Sequence, residues 1–166
     1  MGVDFAYVNH DKREYFGAGL FAWNSRFSSL GRGPGARALG ILLSHLGSWR
    51  GDRVSAVGDA SDDYANVATT FDDVEIEAEL MLIDLDGFEW VETRLQEDHF
   101  LFLRMCDYAT YFRREDVNEL LDETFGAGKW QRRYAEHCKR TSSDFWIQKV
   151  IDAANRPLKT LYVKRE

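Results

Sequence analysis

Val3-Asp4-Phe5-Ala6-Tyr7-Val8-Asn9-His10-Asp11-Lys12-Arg13-Glu14-Tyr15-Phe16-Gly17 is the stretch that decides the fold class. Val3, Phe5 and Tyr7 alternate with Asp4 and Ala6, the period of a half-buried strand. Asn9 to Lys12 is a polar turn, and Arg13 to Phe16 resumes as a second strand that Gly17 stops. The pattern predicts a β-hairpin.

Outward from the hairpin, residues 17–35 are rich in Gly and Ser yet carry Phe21, Trp23, Phe27 and Leu30, which reads as a loop pinned to a core. Pro34-Gly35 marks a helix start, and Arg37 to Leu46 presents Leu39, Leu42, Leu43 and Leu46 on one face before Gly47. Arg53 to Asp59 alternates like a third strand. Residues 72–86 fit both periods; their Glu and Leu content favours helix. From Asp98 onward the spacing is helical. Glu115–Phe125, Trp130–Arg140 and Asp144–Ala154 read as further helices, the last capped by Ser142-Ser143-Asp144 and stopped by Pro157. Leu158 to Val163 is expected to be a final edge strand. The sum is α+β: a small N-terminal antiparallel sheet packed with helices, then a helical C-terminal half. One domain is expected over 1–166, with a core at 1–60, an acidic segment at 61–98 and helices over 99–157.

Composition removes several classes. With 166 residues, 45% of them hydrophobic and 14% aromatic, and two prolines, the chain is neither disordered nor collagenous. Its two cysteines, Cys106 and Cys138, are too few for a disulfide scaffold and fit buried thiols in a reducing compartment. No apolar run approaches the length of a membrane span, and the N-terminus lacks the basic and apolar regions of a signal peptide. The expected location is cytoplasmic, with no membrane partner.

Charge is uneven. The net charge is −7, yet residues 59–98 hold fourteen acidic residues against the single base Arg94. Such a block repels itself. Either it is a solvated face, or it steers and docks a basic partner through Asp72, Asp73, Glu75, Glu77, Glu79, Glu89, Trp90 and Glu92. Asp84-Leu85-Asp86-Gly87 looks like part of a calcium loop but lacks its other ligands. A nucleic-acid partner is disfavoured by the overall charge, although Lys129-Trp130-Gln131-Arg132-Arg133-Tyr134 is a basic-aromatic stretch that stacking could use.

Chemistry-bearing motifs are sparse. The chain has no G-x-S-x-G elbow, no H-E-x-x-H, no P-loop and no dinucleotide fingerprint. His99, Cys106, His137 and Cys138 are nominal zinc ligands, but adjacent helical residues diverge by about 100°, so His137 and Cys138 make a poor pair. No metal or cofactor is expected. An enzyme reading would gather Asn9, His10, Arg50, Asp52 and Asp59 at the sheet edge, His10 serving as acid or base. Against that, turns favour Asn, His and Asp for backbone reasons alone.

Two stretches resemble a known group. Phe5-Ala6-Tyr7-Val8-Asn9-His10-Asp11-Lys12-Arg13-Glu14-Tyr15 resembles the opening of a widespread group of small bacterial and fungal proteins of unknown function, with its Val-Asn-His-x-Lys-Lys/Arg-Glu hairpin. Trp49-Arg50-Gly51-Asp52-Arg53-Val54-Ser55-Ala56-Val57-Gly58-Asp59 is similar to that group's Trp-x-Gly-Asp-Arg-hydrophobic-x-x-Val-Gly-Asp signature. The likeness covers roughly the first 60 residues and nothing after Phe88. Asp11 stands where a threonine is usual, and a long glycine-rich insertion is missing. The resemblance implies a fold core and, because small acidic proteins of this build are often encoded near toxins, an immunity-type or regulatory protein that neutralises a basic partner. Within the second signature, Arg53 is expected to pair with Asp59 or Glu14, with Trp49 anchoring the link between helix and strand.

Overall fold

The computed structural model describes residues 3–23, 25–27, 30–141 and 145–163. The Ser142-Ser143-Asp144 cap lies outside the described residues. The chain divides into two compact units, one formed by residues 1–85 with 159–166 and the other by residues 86–158.

Unit 1 is built on a four-stranded sheet of order β3-β1-β2-β4: β1 Phe5–Asn9, β2 Glu14–Gly17, β3 Val54–Gly58 and β4 Asp72–Asp73. β1 and β2 are the inner strands. β1 pairs antiparallel with β2, Asn9 opposite Glu14, and with β3, Asn9 opposite Val54 and Phe5 opposite Gly58. The short β4 runs parallel to β2, so the sheet is mixed rather than wholly antiparallel. Tyr7, Phe16 and Trp49 stack inward, with ring centroids 5.6 Å and 5.5 Å apart along the row. The loop after β2 is pinned as expected by Leu20 and Phe21, both fully buried, whereas Phe27 points outward.

Among the described residues the unit also holds a short 3-10 turn at Leu20–Ala22 and the α-helices α1 Gly33–Leu43, α2 Asp62–Thr70 and α3 Glu75–Asp86, whose last residue falls in the second unit. α1 starts where Pro34 and Gly35 mark it but ends earlier than the leucine spacing predicts. It buries Pro34, Gly35, Ala38 and Leu42, while Leu43 is 42% exposed. The small residues are needed because a Cβ on Gly35 would meet the Ala18 carbonyl oxygen at 2.1 Å, so the backbones touch there. Ser44 ends the helix by donating its hydroxyl to the Ile41 carbonyl. The helical reading of 72–86 holds over α3, Glu75–Asp86, but not at Asp72–Asp73, which pair with β2 as β4; Ile76 through Ile83 are all buried, which is why neither period stood out. The tail is not an edge strand of the sheet. Ser48 donates to the Leu161 carbonyl and Val163 to that of Leu46, so the tail lies along the loop after α1.

Unit 2 is helical: α4 Glu89–Leu95, α5 His99–Tyr111, α6 Glu115–Phe125, α7 Lys129–Arg140 and α8 Phe145–Ala154. Asp98 caps α5 by accepting the Leu101 amide, and Gly128 opens α7 in a left-handed conformation. Phe102, Met105, Tyr108, Leu121 and Val150 form its buried core. No described helix is long and apolar enough to cross a membrane.

Candidate functional site

The two signatures of the N-terminal region fold against each other. Asn9 is fully buried at the end of β1, and its Oδ1 accepts the amides of Asp11 at 3.0 Å and Lys12 at 2.9 Å, which holds the turn. Its Nδ2 donates to Asp52 at 2.8 Å. Lys12 sits 3.5 Å from the same carboxylate. Asp11 accepts the Arg53 amide at 2.7 Å and its Nε at 2.8 Å. The Arg53 backbone N–H and guanidinium hold the Asp11 carboxyl below the usual carboxylate range. Arg53 therefore pairs with neither Asp59 nor Glu14, because the turn delivers Asp11 to it first. His10 is exposed and its Nε2 lies 2.7 Å from the Ser55 hydroxyl.

Beneath this end, Glu14 is buried and accepts the Trp49 indole N–H at 2.7 Å and the Lys159 ammonium at 3.0 Å. Lys159 also donates to Asp72 at 2.7 Å. Burial alone would lower the Lys159 ammonium; its bonds to Asp72 and Glu14 outweigh that and raise it above the ordinary lysine range.

This geometry separates the residues of the enzyme reading. Asn9 and Asp52 do meet at the turn, whereas the neighbouring His10 faces Ser55 and Phe71, and Arg50 is exposed nearby in sequence. Asp59 follows Gly58, which pairs with Phe5, so it lies at the opposite end of the sheet, roughly 15 Å away by strand rise. There it accepts the Asp4 amide at 3.2 Å.

The acidic residues of 59–98 divide by burial. Asp59, Asp62, Asp63, Asp72, Glu89, Glu92 and Glu97 are exposed. Asp73 and Glu75 are half-buried, Asp73 accepting the Glu75 amide at the start of α3. Glu77 and Glu79 are 4% and 0% exposed, so neither can touch a docked partner; they face inward because α3 is enclosed on every side. Trp90 is half-buried on α4 between the exposed Glu89 and Glu92.

Sequence reasoning missed two arrangements. At the Phe5 end of the sheet, Phe27 is 74% exposed and packs its ring 5.8 Å from that of Phe5, with the backbones of Asp4 and Arg26 paired as an isolated antiparallel β-bridge alongside. In unit 2, Asp107 is buried and accepts the Tyr134 hydroxyl and the Trp146 indole N–H, a contact hidden by a spacing of 27 and 39 residues. Burial and the Asp107 carboxylate push the Tyr134 phenol far up, and burial does the same to the Cys106 thiol. Trp130 and Tyr134 of the basic-aromatic stretch are both buried, which removes them as stacking platforms for nucleic acid. His99 and His137 do approach, with ring centroids 6.0 Å apart, but Arg133 lies 3.3 Å from His99. Among the described residues no three His, Cys, Asp or Glu side chains gather to hold a metal ion.

No family model, no curated protein and no solved structure matches the chain.

Proposed function

We propose that the chain is a protein-binding module that receives a basic partner protein on the carboxylates of unit 1. An immunity or regulatory role, neutralising that partner, follows from the resemblance of its N-terminal signatures. The observation that carries the reading is the exposed Phe27 ring beside Asp4 and Asp59, with Asp62 and Asp63 following in the first turn of α2. An aromatic anchor inside a charged rim is how protein interfaces are built. The rim steers encounter and the ring contributes affinity once water is excluded. The polar atoms of the two signatures support the same reading, since they are engaged with each other as a scaffold: Asn9 with Asp52, Asp11 with Arg53, Glu14 with Trp49.

The test uses charge reversal at exposed positions only. Asp59→Lys, Asp62→Lys and Asp63→Lys together move the net charge from −7 to −1. The variant should stay folded, because exposed substitutions cost little. Its association with partners captured from the native host should slow at least roughly tenfold at low salt, and lose its salt dependence. Phe27→Ala should instead speed dissociation. Identical capture and identical salt dependence in wild type and triple variant would sink the reading.

A further inference from the structure

The turns that follow α5 and α8 enclose a groove of about 660 Å³ in unit 2, within the size range of small-ligand sites. Tyr111, Phe112 and Arg113 line it from the end of α5 and the turn beyond, and Ile151, Arg156 and Leu158 from α8 and the turn beyond. The walls thus offer two rings and two aliphatic side chains, while both arginines are exposed.

Arg113 is held in a left-handed backbone conformation, φ 51°, just past the end of α5. Glycine adopts that conformation freely and a helix end commonly uses it there, so an arginine is kept at a cost. Strain of this kind concentrates where a side chain serves a ligand. Arg156 occupies the matching place beyond α8 and sends one N–H to the Pro157 carbonyl at 3.3 Å.

We propose that this groove binds a small monocarboxylate with an apolar body, the carboxylate between Arg113 and Arg156 and the body against Phe112, Ile151 and Leu158. Guanidinium forks match carboxylate oxygens in bidentate geometry. The charge of the ligand follows from the helices. Two helix C-termini open here, each carrying about half a negative charge. Their field weighs against a doubly charged phosphate monoester more than against a single carboxylate. Neutralising the helix ends is the competing role for these arginines, and a lysine would serve it equally well.

The test is calorimetric titration of the full chain with octanoate, against octanol and octyl phosphate. Octanoate should bind, and octanol and octyl phosphate should each bind at least tenfold more weakly. Arg113→Gln and Arg156→Gln should each weaken octanoate at least tenfold, and Arg113→Lys nearly as much. Arg113→Gly should raise the melting temperature while losing octanoate, the two readouts moving in opposite directions. The proposal is overturned if octanoate shows no binding at millimolar concentration, if octanol or octyl phosphate binds as well, or if Arg113→Lys or Arg113→Gly retains wild-type affinity.

Discussion

The carboxylate of Glu79 accepts the backbone N–H of Phe21 at 2.7 Å, with both residues fully buried and Phe21 in a left-handed conformation at φ 56°. A bulky residue is rarely found there, so the surrounding structure must hold it. Glu79 is part of what does so, by satisfying an amide that the turn would otherwise orphan.

Glu79→Ala should therefore cost about 2–4 kcal/mol, combining an unsatisfied buried amide with a cavity. Glu79→Gln keeps an oxygen for the same N–H and should cost only about 1–2 kcal/mol. Urea denaturation followed by far-UV circular dichroism separates the two. Equal midpoints for both variants would mean the bond does not hold Phe21.

The hairpin turn offers a contrast between neighbours. Asn9→Ala removes the acceptor of two turn amides and the donor to Asp52, and should cost about 2–3 kcal/mol. His10→Ala, at an exposed position, should cost about 1 kcal/mol or less and leave partner capture unchanged. Thermal unfolding of the pair is the check. If the His10 variant proves the less stable, the turn is held by something other than Asn9.

Stability should vary with pH in two directions. The Lys159 ammonium is raised on folding, so its contribution is complete below the ordinary lysine range near pH 10 and is lost as pH rises through the folded value. Asp11 is lowered, so its contribution is present above the ordinary aspartate value of about 4 and fades as pH falls through the folded value. Lys159→Met should flatten the alkaline limb of the melting-temperature profile, and Asp11→Asn the acid limb. Unchanged limbs in both variants would refute the assignment.

Within α1, two glycines should respond with opposite sign. Gly35→Ala drives a methyl into the Ala18 backbone and should cost at least about 1–3 kcal/mol. Gly40 meets nothing within 4 Å of an added Cβ and sits in the helix interior, so Gly40→Ala should stabilise by up to about 1 kcal/mol. A chevron or equilibrium melt of each variant decides it.

The sequence readily shows the elements whose pattern survives burial. The hairpin is visible because β1 and β2 are bounded by a polar turn, and Glu115–Phe125 because its Val117, Leu120 and Leu121 form one clean stripe. α3 blurs because every residue from Ile76 to Ile83 is inside, so no polar face marks the period. Charge misleads at the same place: Glu77 and Glu79 read as surface, and only tertiary structure brings Phe21 to Glu79. The turn cluster was half legible. Asn9 and Asp52 meet, but His10 turns to Ser55 and antiparallel register carries Asp59 to the far end, which spacing along the chain does not reveal. Phe27 looked like another loop anchor, since nothing local distinguishes an aromatic that packs inward at position 21 from one that faces out at 27.

Unit 1 is assembled from both ends of the chain, with residues 86–158 between its two pieces. On a ribosome the hairpin emerges before residues 86–158, and Lys159 and Leu161, which bond Glu14 and Ser48, arrive only after that whole stretch has been made. At translation rates of about 5–20 residues per second the delay is on the order of ten seconds at the slow end. Throughout it the Glu14 carboxylate lacks its ammonium partner and the loop after α1 lacks its cover. A stop codon after residue 158 would thus be felt far upstream, at β2 and the loop after α1, which would lose these contacts.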